Sequence, residues 1–139
     1  MSASYLIDQP RSIVFSRAWG ILTDDELRWH AETLQADARF DPGFRQAADF
    51  RDVVEMRVTP EGVRSLTHVN PFRRDSRRAI IVPTDLTFGF VRMFEALTQS
   101  DPEQFRVFRL MGPAFEWVGL DPAMPWPVEE PNATIGASQ

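Results

Sequence analysis

Lysine and cysteine are both absent from this chain of 139 residues, so that all fifteen basic side chains are arginines. Without lysine there is no Schiff-base chemistry and no P-loop or kinase lysine; without cysteine there is no thiol nucleophile, thiolate metal site or disulfide. Histidine occurs only at His30 and His68, which excludes a three-histidine metal site and leaves acid–base work mostly to carboxylates. Long apolar runs are missing too: the most apolar strand-like segment, 79–82, is far too short to span a bilayer. Residues 1–10 lack a basic stretch followed by an apolar one, and a cytoplasmic protein without integral membrane association is expected. No metal, no cofactor and no enzyme chemistry are expected.

What is present is globular. The hydrophobic share is 43%, and a chain of this length forms one domain able to bury its own core. The net charge of −5 argues against a nucleic-acid partner. Residues 5–7 and 12–19 read as two adjacent strands, the second closed by Gly20. Thr23-Asp24-Asp25-Glu26 has the form of a capping box, with Leu22 placed to staple onto Leu27. Leu27, Ala31 and Leu34 then recur at helical spacing, predicting a helix from Asp24 to Ala36. Asp41-Pro42-Gly43 makes a turn, and residues 44–50 form a strand leading directly into 51–58.

Thr59-Pro60 caps a short second helix reaching toward Asn70-Pro71. The unbroken apolarity of 79–82 suits a central strand covered on both faces, ended by Pro83. A third helix is expected over 86–98, a strand over 104–111, and a last helix opened by Gly112-Pro113 and closed by Gly119. This order demands an α/β fold: a mostly parallel sheet of about five strands with about four helices and one early antiparallel strand. The domain is expected over 1–120. Residues 121–139, with four prolines, read as a flexible tail in which Trp126 is a large apolar group able to dock on the domain or a partner.

Four segments carry a family resemblance: Trp19-Gly20-Ile21-Leu22-Thr23-Asp24-Asp25-Glu26-Leu27, Asp37-Ala38-Arg39-Phe40-Asp41-Pro42-Gly43-Phe44-Arg45-Gln46, Asp49-Phe50-Arg51-Asp52-Val53 and Phe88-Gly89-Phe90-Val91-Arg92-Met93-Phe94-Glu95. Over residues 5–120 the chain resembles the bacterial STAS-like family, similar to the spore-formation anti-sigma-factor antagonist and distantly related to the CRAL-TRIO lipid-binding fold. The resemblance implies a STAS-like sheet with helices against it, and a role in binding partners or small apolar molecules. In phospho-switched antagonists the strand corresponding to 44–50 is followed by an Asp-Ser-Ser-type turn whose serine is phosphorylated. Here the turn reads Asp49-Phe50-Arg51-Asp52-Val53, with no Ser or Thr before Thr59, so a regulatory contact without phosphoserine control is expected.

Two groups of residues are candidates for function. Asp49, Arg51, Asp52 and Glu55 gather after the third strand, where open parallel sheets place ligands; the alternative is ordinary loop salt bridges. The helix over 86–98 is apolar nearly all round, so Phe88 with Val91 or Met93, beside Arg92, is left to face a subunit partner, the tail or an apolar ligand, unless the domain itself covers them. The first outcome makes the protein a homodimer or the partner of a regulatory protein; the ligand outcome makes it a binder or sensor of a lipid-like molecule. The run Arg73-Arg74-Asp75-Ser76-Arg77-Arg78 could hold an anion but reads first as a solvated loop, and both histidines read as structural.

Overall fold

The computed structural model describes residues 2–85, 89, 91–92, 101 and 103–127. Five strands form one sheet in the order β1 (Ala3–Asp8), β2 (Ile13–Thr23), β3 (Arg45–Arg57), β4 (Arg78–Ile81) and β5 (Phe105–Phe108). The β1–β2 pair is antiparallel and every later pair is parallel. The α/β fold with a mostly parallel five-stranded sheet is therefore as the sequence demands. Helix α1 (Asp24–Ala36) connects β2 to β3; α2 (Pro60–Ser65), continued by a 3-10 turn at Leu66–His68, lies between β3 and β4; α3 (Met111–Trp117) follows β5.

Strand alternation divides the side chains between two faces. Ile13, Phe15, Ala47, Ala79 and Ile81 lie on one face and pack against Ala114, Phe115 and Val118 of and just beyond α3. The other face carries two registered rows, Tyr5, Ser16, Ala48, Ile80, Val107 and Ile7, Val14, Gln46, Arg78, Phe105. Leu34 of α1 packs on this second face with Tyr5, Val14 and Phe72, and Val91 with Ala48, Ile80 and Phe105. Each large side chain fully buried in these layers is worth roughly 1.5–3 kcal/mol.

Helix α1 starts where its capping box starts. The Thr23 hydroxyl accepts the Glu26 N–H at 3.3 Å, and three acidic residues occupy the first turn, where the helix dipole favours them. Asp24 also ties α1 to α2, because its carboxylate accepts both the N–H and the hydroxyl of Thr59, the α2 cap.

Several boundaries differ from the sequence expectation. Strand β2 does not close at Gly20: it bulges twice there, Gly20 supplies a φ of +65°, and the strand runs on to Thr23. Residues 49–53 are not a turn but the middle of the 13-residue β3, paired with β2 at Asp49, Asp52 and Val53 on either side of a bulge. The local run of charges looks like a loop, but β2 pairs the backbone on both sides of the bulge, Arg51 and Asp52 are exposed, and the buried Asp49 is held by Arg51. Trp126, which on sequence grounds is able to dock on the domain or a partner, packs on the α3 face with its ring 5.4 Å from Phe15 and 5.9 Å from Phe115. Of the helix expected over 86–98, only residues 89, 91 and 92 are described, and the candidates Phe88 and Met93 lie outside the described residues.

Candidate functional site

Between the second sheet face and α1 lies a mostly apolar cavity of about 100 Å³. The sheet floor is made of small side chains, Ala3, Ser16, Ala18 and Ala48, which leave space where larger residues would fill it. Leu27 and Ala31 of α1 roof it, and Leu66, Phe72 and Val91 close its sides. At about 30 Å³ per water, the space suits a few waters or one short organic molecule.

Four polar residues on the cavity wall form a single hydrogen-bonded chain. The Arg78 Nε–H donates to Gln46 Oε1 at 2.9 Å, and Gln46 Nε2 donates to Ser16 Oγ at 2.9 Å. Ser16 Oγ in turn lies 2.9 Å from His30 Nε2. Ser16 Oγ thus accepts from Gln46 and joins it to His30, whose ring nitrogen donates or accepts according to its tautomer. The register explains the alignment: Gln46 and Arg78 are directly paired across β3 and β4, and Ser16 lies one row over on β2.

Electrostatics set the charge states of the two ionisable members. Burial, helped by the positive charge of Arg78, lowers the His30 pKa to about 4. Burial alone lowers the Arg78 pKa to about 10, which leaves the guanidinium charged at neutral pH. That guanidinium lies over two rings, 4.6 Å from the Phe72 centroid and 5.4 Å from that of Phe105. Among the described residues no carboxylate lies within ion-pair distance of it. It lies deep in the molecule yet keeps partial access, because it lines the cavity.

The residues singled out from the sequence are placed differently. Asp49 is buried, and Arg51 grips both its oxygens at 2.9 and 2.8 Å. Burial pushes the Asp49 pKa up, but the hydrogen bonds and charge of Arg51 outweigh it and hold the group below the usual carboxylate range. Asp52 pairs with Arg17 at 2.7 Å on the surface. None of Asp49, Arg51 and Asp52 lines the cavity. Val91 does, buried against the sheet, whereas Arg92 is exposed.

The basic run splits likewise. Arg77 turns outward over Trp117, while its neighbour Arg78, the first residue of β4, turns in. Sequence reasoning misses Ser16 and Gln46, reads Arg78 as part of a run able to hold an anion but first of all solvated, and takes His30 as structural. The available signal was their parity: each falls on the same inward-facing set as Val14, Ala48 and Ile80, where a strand covered by helices should be apolar.

Among the described residues no group of three His, Cys, Asp or Glu could hold a metal ion, and no helix is long and apolar enough to cross a membrane. Comparison with known proteins finds no match: no family model matches the chain, nor does any curated protein or solved structure.

Proposed function

We propose that this is a non-enzymatic module that binds a small molecule with an apolar body in the cavity between the sheet and α1. The observation that carries this reading is the cavity itself, floored by alanines and a serine between buried neighbours such as Val14, Gln46, Ile80 and Phe105. Interiors are ordinarily close-packed, and an unfilled apolar volume forfeits roughly 20 cal/mol per Å² of its surface unless something occupies it. The STAS-like resemblance implies the same kind of role.

The test is direct binding of hexan-1-ol and hexanoate, two short chains of matched length, followed by titration calorimetry and by native mass spectrometry after gentle purification. Binding of either probe, lost in Ala48→Leu, supports the reading, because leucine at that position occupies the cavity floor. Binding of neither probe overturns it.

A second reading, contact with another protein chain, is favoured by one feature. Beyond Asp49 the β3 strand is paired with β2 alone among the described residues, and there Val54 is 81% exposed. Light scattering compares the native protein with Val54→Arg. A dimer dissociated by that substitution supports self-association through the β2–β3 extension, and a monomer at high concentration rules it out.

A further inference from the structure

Resting on the cavity-binding role just proposed, we infer that the ligand is a small carboxylate with an apolar tail, and that Arg78 receives its head group. A guanidinium removed from bulk water is costly unless an anion compensates it, and the described residues provide none. The polar chain fixes which part of Arg78 is left for that anion. Gln46 engages Nε, and the guanidinium carbon lies over the rings of Phe72 and Phe105. The terminal nitrogens remain, and their parallel N–H groups match the two oxygens of a carboxylate.

Charge balance selects a monoanion. Arg17 also borders the cavity, but its guanidinium is committed to Asp52 at 2.7 Å and lies over Trp19. His30 is neutral at pH 7, so it adds no second positive charge. One unopposed cation therefore meets one negative charge, and a phosphomonoester dianion would bring a second charge that no neighbouring group neutralises. The apolar remainder of the cavity, over Ala18, Ala48, Ile80 and Val91, accepts a hydrocarbon body rather than a second polar group.

Calorimetric titration at pH 7 with hexanoate, hexan-1-ol and hexyl phosphate tests this on the native protein and on Arg78→Met. Native protein is expected to bind hexanoate at least tenfold more tightly than either other probe, and Arg78→Met to lose that preference while still binding hexan-1-ol. Should Arg78→Met fail to fold, Gln46→Glu serves instead: its carboxylate, placed against Arg78, neutralises the receptor from within and should likewise abolish the preference. Hexan-1-ol binding as tightly as hexanoate to the native protein overturns the carboxylate assignment while leaving the cavity-binding role intact. Hexyl phosphate binding more tightly than hexanoate overturns the monoanion argument. A hexanoate preference that survives both substitutions overturns the role of Arg78. Failure of all three probes on native protein removes the cavity-binding role itself.

Discussion

The guanidinium of Arg78 lies 4.6 Å from the ring centroid of Phe72, a cation over an aromatic ring at the edge of a mostly apolar cavity. Phe72 is itself buried between Phe40 and the sheet, so the contact links the 66–72 segment to β4. Phe72→Leu, which keeps most of the volume but removes the ring face, is expected to cost about 1–2 kcal/mol in urea unfolding. In a double-mutant cycle with Arg78→Met the coupling energy should be about 0.5–2 kcal/mol. Strictly additive effects would show that the stacking contributes nothing.

His30 gives the protein a defined pH response. Its folded pKa of about 4 lies below the ordinary histidine value of 6.5, so between these values the unfolded chain binds more protons than the folded one. Stability from this group is fully present above pH 6.5 and is lost progressively as pH falls to 4. The full effect is at most about 3 kcal/mol. Asp37 and Asp49, both held low by neighbouring arginines, lose their contributions only at more acidic pH, as the carboxylates themselves titrate. Unfolding curves from pH 4 to 7 should show the slope in native protein and a flatter profile in His30→Gln. Side-chain NMR titration should place the His30 midpoint near 4; a midpoint near 6.5 would contradict an imidazole kept neutral by burial and by the charge of Arg78.

Trp126 fastens residues 121–126 to the α3 face. Its ring stacks on Phe115 and meets Phe15 edge-on, but it is only partly buried, so Trp126→Ala should cost less than the 3–5 kcal/mol of a fully buried tryptophan. About 1–2 kcal/mol is expected, read as a lower denaturation midpoint with an unchanged slope. A substitution without effect would mean that this segment does not contribute to the core.

Gly62 is held small by Asp24. A Cβ at that position would come 2.1 Å from the Asp24 carboxyl carbon, so Gly62→Ala must displace the side chain that accepts from Thr59. Alanine improves helix propensity by up to about 1 kcal/mol, whereas losing the two bonds costs about 1–3 kcal/mol, and a net destabilisation is expected. Combined with Asp24→Ala, which removes the obstruction, the Gly62→Ala change should become neutral or stabilising.

The sequence by itself determined most of the element order and the α1 boundaries, because capping and periodicity are local: Thr23, Glu26, Leu27, Ala31 and Leu34 lie within one short stretch and report on one another. It also determined that the sheet is largely parallel, since alternating strands and helices have few other ways to connect. The strand read over 44–50 and on into 51–58 is present as β3, and the turn that the family resemblance places at 49–53 is not, because pairing with β2, more than 25 positions away in sequence, holds these residues extended. The site was decided by tertiary structure alone. Ser16, His30, Gln46 and Arg78 are far apart in the chain, and each is unremarkable where it stands, a serine in an alternating strand or the last arginine of a basic run. Only the sheet register sets Gln46 beside Arg78 and next to Ser16, and only the seating of α1 brings His30 to Ser16. A hydrogen-bonded chain that spans three strands and a helix depends on where those elements dock, which no local pattern encodes.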